Sequence, residues 1–183
     1  SAAKSAANKR RQEVREQQKY TDLQRKQALE QKRDAEDLAY ESTQAEIDAM
    51  EEGTAKVLRQ LDLDRKKKLT EIERYYEDLQ QKKIDDARKL WEANPANKDK
   101  KFDESSVDSK LTADEQKAKG LQIKAATLEY TRAVEEQSEA DRQALADYLK
   151  EYGSYEEQKL ALALEYAEKI RKANAAGNMV EVA

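Results

Sequence analysis

The side chains that could do chemistry in this chain are carboxylates, tyrosines and a short basic run, because His and Cys are both absent. Neighbouring acids such as Asp85–Asp86 and Glu51–Glu52 are the residue type that holds a hard cation through oxygen. On a helix, however, adjacent residues diverge by about 100° and do not converge on one ion, so these pairs are rejected as metal sites. Nine tyrosines, among them Tyr75–Tyr76, Tyr148, Tyr152 and Tyr155, could form stacking platforms. At helical spacing they read better as seam residues that bury a ring and keep the hydroxyl wet. Lys9–Arg10–Arg11 is the one run suited to a phosphate backbone, but acids interrupt it and no aromatics interleave it, so a nucleic-acid role is disfavoured. Without Cys there is no disulfide, thiol chemistry or zinc thiolate. Without His the usual general base near neutral pH is missing, and no Gly-rich loop or nucleophile elbow replaces it. No catalytic residue, cofactor, metal or small-molecule substrate is assigned.

These residues are carried on helices. The chain has 183 residues, 40% of them charged, with 4 Gly and 1 Pro. That is the composition of long helices, and strands lack both β-branched runs and turn dipeptides. No apolar run approaches the ~20 residues needed to span a membrane, and no signal peptide is evident. Opening on Ser1 and closing on Met179-Val180-Glu181-Val182-Ala183, the chain reads as an excised piece of a longer protein. Charge is blocky, about +5 over residues 1–34 and about −7 over 35–64, as in solvated helices with complementary neighbours.

The organising stretch is Glu46 to Trp91. Ile47, Met50, Val57, Leu58, Leu61, Leu69, Ile72, Tyr76, Leu79, Ile84 and Leu90 recur at three- and four-residue steps, on one side of a helix. One long helix over 1–94 is predicted, continuous or bent at Gly53, with Thr54 a possible cap if it breaks there. Its first part, with only Val14, Leu23 and Leu29 as large aliphatics before Asp37, reads as a solvated arm. Pro95 stops the helix. Residues 95–111 form a polar, mobile loop that Phe102 and Val107 tack to the helix ends, with Trp91 sealing the hairpin. Thr112 and Glu115 make a capping box that opens a second helix over 112–152, and Gly153 ends it. Ser154 and Glu157 repeat the box and open a third helix over 154–176, before a truncated tail over 177–183.

The expected fold is all-α, a long antiparallel helical hairpin or coiled coil with a short third helix. If the second helix folds back over 54–92, Leu61 meets Leu145, Ile72 meets Val134, and Leu79 lies beside Leu128. The same register sets Arg65 near Asp141 and Lys67 near Glu139. The packing seam is then Leu58, Leu61, Leu69, Ile72, Leu79, Leu128, Val134, Leu145 and Leu149. Gly53 and Gly153 fall at one level, as a joint hinge or as a tolerated defect beside a plain terminator. The third helix either continues alongside residues 30–52 or turns back into a three-helix cluster. Seam that one hairpin cannot cover argues for self-association.

Two segments carry a family likeness. Residues 45–79, AEIDAMEEGTAKVLRQLDLDRKKKLTEIERYYEDL, and 146–173, ADYLKEYGSYEEQKLALALEYAEKIRKA, resemble segments that recur in tail tape measure proteins of phages and prophages from Bacteroides-type bacteria. The resemblance implies a structural, non-enzymatic chain packed in the lumen of a growing tail tube, whose length sets tail length. Tail tube subunits and assembly chaperones are its implied partners, in the host cytoplasm and then in the virion tail. It also implies departure ahead of the DNA at ejection. Nothing in this stretch looks like the murein-hydrolysing domain that some such proteins carry. The alternative class is a cellular coiled-coil scaffold or stalk segment. A hairpin is not an extended ruler, so the folded-back form is either a property of the piece alone or a compact module within the ruler.

Overall fold

The computed structural model describes residues 1–176, so the tail expected over 177–183 lies outside the described residues. Four α-helices follow one another: α1 (Ala2–Asp48), α2 (Thr54–Ala93), α3 (Ala113–Tyr152) and α4 (Tyr155–Ala175). Short 3₁₀ turns at Pro95–Asn97 and Glu104–Ser106 lie between α2 and α3. No strand occurs among the described residues, and the fold is all-α with helices packed against each other.

The single helix expected over 1–94 is two helices. The α-helical hydrogen bonding stops at Asp48 and resumes at Thr54, and Gly53 sits at φ +154, a conformation that side-chain-bearing residues rarely adopt. Thr54 is the first residue of α2 rather than its cap. Glu51-Glu52-Gly53 offers no large side chain to bury, and reversal there gives each long charged helix an oppositely charged neighbour.

The chain packs as two compact units. The first comprises residues 1–50 and 63–127. Here α1 runs antiparallel to α2, since Asp22 pairs with Arg88, Arg33 with Asp78, and Tyr40 Oη meets Thr70 Oγ1 at 2.5 Å. That register sets Ile47 opposite Leu63, and both are buried. So α1 is no solvated arm: it is the main partner of α2. The start of α3 lies along α2, through Lys83 with Glu115 and Lys119 with Glu73. The connecting segment, expected to be mobile, is held at three points of α1. Arg11 pairs with Asp99, Gln18 Nε2 donates to the Phe102 carbonyl at 3.1 Å, and Arg25 reaches Glu104 at 2.7 Å. Phe102 is buried, with its ring centroid 5.6 Å from that of Trp91.

The second unit comprises residues 51–62, which include the start of α2, with the later part of α3 and α4. Thr54 Oγ1 donates to Asp141 at 2.9 Å, which places α3 antiparallel to the start of α2. Leu61 therefore faces the level of Val134, not Leu145. In both units the α2–α3 register is displaced from the expected one by about three turns, ~16 Å. The acids expected beside Arg65 and Lys67 are engaged elsewhere: Asp141 accepts from Thr54 and Gln137, and Glu139 pairs with Arg171 and Lys172 of α4.

The seam shifts with the register. Leu58, Leu61, Leu69, Ile72, Leu79, Val134 and Leu149 are half-buried, but Leu128 and Leu145 are exposed. Ala126 and Ala146 take the buried positions on α3 instead. Close-packed helices put the smallest side chains at the contact line and turn the leucines to its flanks. Val57 and Leu90, counted in the α2 stripe, are also exposed.

Replacing each glycine tests this backbone. Gly53→Ala forces a side chain into a strained φ and should cost at least ~1 kcal/mol. Gly153→Ala should cost ~1–3 kcal/mol, because a Cβ there runs into the Leu149 carbonyl and comes within 2.8 Å of Glu157 Cβ. Gly120 lies inside α3 with nothing within 4 Å, so Gly120→Ala should instead stabilise by ~0.5–1 kcal/mol. Urea midpoints of the three variants check the signs.

Candidate interaction site

A reciprocal group of ion pairs in the first unit comes from a repeated pentapeptide. Arg33-Asp34-Ala35-Glu36-Asp37 on α1 and Arg74-Tyr75-Tyr76-Glu77-Asp78 on α2 share the pattern Arg-x-x-Glu-Asp. Because α1 and α2 are antiparallel, each arginine reaches the other helix's acidic pair. Arg33 donates to Asp78 at 2.7 and 3.2 Å and to Glu77 at 3.4 Å. Arg74 donates to Glu36 at 3.0 Å and pairs with Asp37 at 2.9 Å. It also donates to the Arg33 carbonyl at 3.1 Å. Both arginine side chains are only 21% exposed, and the Nε of each is buried with no hydrogen-bond partner. Asp78 above all holds Arg33 more firmly protonated than usual, and Glu36 does the same for Arg74.

Tyrosines complete this clasp. Tyr76 is buried, with Tyr75 edge-on at 5.0 Å, and Lys119 Nζ lies 5.9 Å from the Tyr76 ring centroid. The tyrosine pair is thus part of the packing on its Tyr76 side and exposed on its Tyr75 side. Farther along the hairpin, a groove of about 560 Å³ runs between α1 and α2 past Leu23, Lys26, Leu29, Gln81 and Lys89. Among its lining charges Arg88 pairs with Asp22 across the groove and with Glu92 along α2.

In the second unit the residues named as caps and terminator act together at the α3–α4 corner. Gly153 N donates to the Leu149 carbonyl at 2.9 Å and ends α3. Ser154 and Glu157 then form a full capping box, Ser154 N donating to Glu157 Oε2 at 2.5 Å and Glu157 N to Ser154 Oγ at 3.4 Å. Thr112 and Glu115 make the same exchange at the start of α3, where Glu115 also accepts from Lys83. Pro95 sits at the first position of a 3₁₀ turn that Asn94 Oδ1 caps. Beyond the corner, α4 folds back on α3 through Arg142–Glu168 at 2.8 Å, Arg171–Glu139 at 2.6 Å and Lys150–Glu165 at 2.6 Å. The Arg171 hydrogen bond, with Arg142 beside it, holds the Glu168 carboxyl down to about 2.

Of the carboxylate pairs rejected as metal sites, Asp86 is engaged by Lys82 along α2 at 2.6 Å, and Glu52, which lies in the connection between α1 and α2 and not on a helix, by Lys56 at 2.6 Å. Among the described residues no group of three metal-ligating side chains comes together, and no helix is long and apolar enough to cross a membrane. What this structure offers chemically is recognition between helices. The reciprocal clasp went unseen in the sequence, although the repeated Arg-x-x-Glu-Asp was a readable signal once α1 and α2 were allowed to be antiparallel. Comparison with protein-family models, curated proteins and solved structures found no match.

Two measurements probe these groups. Arg74→Ala leaves Glu36 and Asp37 facing each other's charge and should destabilise by about 2 kcal/mol, with a double-mutant cycle against Asp37→Ala showing coupling of about 1 kcal/mol. Glu168 is more acidic in the folded chain than its ordinary value of 4.5, so it stabilises the α3–α4 contact at neutral pH. That contribution fades as pH falls from about 4.5 towards about 2. Thermal midpoints of the natural chain and Glu168→Gln should therefore differ at neutral pH and converge near the lower limit.

Proposed function

We propose that this chain is a structural helical module of a phage tail tape measure protein, folded back on itself within a longer ruler and taking part in tail assembly and DNA ejection. The observation that carries the reading is that the two tape-measure-like segments, 45–79 and 146–173, contain the parts on which each unit's packing turns. The first holds the reversal at Gly53 and the Arg74-x-x-Glu77-Asp78 half of the clasp; the second holds the Gly153 corner and most of α4. Helices laced with ion pairs of both signs suit a long chain that has to stay dissolved while confined at high concentration. The reversal between α1 and α2 bears on the ruler itself, because antiparallel helices do not add their lengths. In this reading the partners are tail tube subunits and assembly chaperones, with self-association through helices, and the setting is the host cytoplasm and then the tail lumen.

An in-frame deletion of the coding region in the producing virus tests this, with tail lengths read by electron microscopy. A straight ruler loses ~270 Å of tail for 183 residues at the helical rise, whereas a folded module loses much less, on the order of one helix. Tails of unaltered length and number, with the protein absent from purified particles, would sink the tape measure reading and favour the cellular scaffold.

A further inference from the structure

The basic run Lys9–Arg10–Arg11 does not act as a unit on the folded chain. Its members diverge by about 100° from one to the next on α1, and Arg11 is spent on Asp99. A different set of cations is brought together instead. Arg15, Lys19 and Lys26 follow one another at steps of four and seven residues, on one flank of α1. With Lys98 of the connecting segment, Arg15 and Lys19 line a groove of about 430 Å³. Lys19 also lines the groove between α1 and α2, where Lys26 and Lys89 stand. The two grooves therefore follow each other along α1, where Arg15 to Lys26 covers ~16 Å. Arg15, Lys19, Lys26, Lys89 and Lys98 are all exposed, and among the described residues none of them forms an ion pair within the chain. The acids that line the same grooves are already engaged. Asp22 pairs with Arg25 and Arg88, and Glu92 pairs with Arg88. Glu16 and Asp85 accept from the amides of Gln12 and Gln81. The acids that interrupt the basic residues in sequence therefore leave this flank with an excess of unspent cations.

Unpaired cations along a groove suit a chain of anions, and the rest of the lining narrows the choice. The groove at Lys98 has no apolar side chain in its lining, so the apolar face of an acidic helix finds no seat there. No aromatic ring lines either groove, so nothing in them stacks an unpaired base. A duplex keeps its bases stacked inside and carries its phosphates in closely spaced rows along the outside. We propose that this flank of α1, with Lys89 and Lys98, binds the phosphate backbone of a double-stranded nucleic acid without reading its sequence. Arginine and lysine contacts to phosphate oxygens position a duplex and carry no base information. About four or five such contacts give weak binding, with a dissociation constant of roughly 10⁻⁴–10⁻⁶ M near physiological salt. The chain as a whole is net −4, so the binding belongs to this flank and not to overall charge. The inference is independent of the tape measure reading.

Fluorescence anisotropy of a labelled duplex of about 20 base pairs, titrated with the whole chain from about 50 to about 200 mM salt, tests this. The logarithm of affinity should fall against the logarithm of salt with a slope of roughly −4, a loss on the order of a hundredfold over that range. Lys19→Ala, Lys26→Ala and Lys98→Ala should each lower the slope by about 1 and weaken binding alike for unrelated sequences. None of the three removes an ion pair, so helicity by circular dichroism should be kept. Lys9→Ala combined with Arg10→Ala removes two charges that lie off this flank and should cost less than Lys19→Ala alone. No binding at the lower salt overturns the proposal. A loss as large in the Lys9→Ala, Arg10→Ala variant overturns the assembled flank and leaves only the diffuse charge of α1. Polyglutamate of matched charge displacing the duplex as well as unlabelled duplex does overturns the phosphate assignment in favour of an acidic protein. Tighter binding by a single strand of equal length overturns the duplex.

Discussion

The guanidinium groups of Arg33, Arg74 and Arg88 have to leave bulk water before α1 and α2 can lie together. Arg33 and Arg74 are four-fifths covered, and removal of a charge to that depth is tolerated only when its partners arrive with it. The partners are supplied reciprocally, so each helix brings both the cation and the carboxylates that the other requires. A register slip of a few residues would leave two cations and four carboxylates partly buried and mismatched. The clasp therefore sets register more than it adds stability. The rest of the first unit follows from that alignment: Ile47 reaches the level of Leu63, Tyr40 meets Thr70, and Arg88 meets Asp22. The long connection also finds its anchors on α1, because α1 lies where Phe102, Glu104 and Asp99 can use it.

The apolar core beneath this network is thin. One isoleucine, one leucine, one tyrosine, one phenylalanine and four alanines are the buried hydrophobic residues among those described. Helices in such contact gain little per residue from burial and depend on many modest polar terms acting together. Buried alanines at 126, 146, 161 and 173 let helix backbones approach closely. The same geometry turns Leu128, Leu145, Leu160 and Leu162 outward. The exposed leucines and the alanine seam are two consequences of one packing choice, most pronounced where α4 meets α3.

Two capping boxes and a proline show how local chemistry was readable in advance. Thr112 with Glu115 and Ser154 with Glu157 fix helix starts through a few bonds between near neighbours, which the sequence spells out directly. Pro95 ends α2 for an equally local reason, having no N–H to give. Gly53 was recognised as a weak point, but how far the chain would turn there was beyond a local argument. A glycine permits both a bend and a full reversal, and the choice depended on Arg33, Glu36 and Asp37, some twenty residues away in sequence.

The sequence by itself determined that this protein is all helix, where the capped helices begin and where they stop, since propensity, capping and proline act within a turn or two of chain. Only the tertiary structure decided which helix lies against which, and in what register. An amphipathic stripe on one helix fits several partners at nearly equal apolar cost, so the leucine pattern pointed to an alignment about three turns from the real one. Between α1 and α2 the alternatives were separated by the requirement that Arg33 and Arg74 meet their acids at once, and the start of α3 took its alignment on α2 through Lys83 with Glu115 and Lys119 with Glu73. Those conditions are imposed across helices rather than along them.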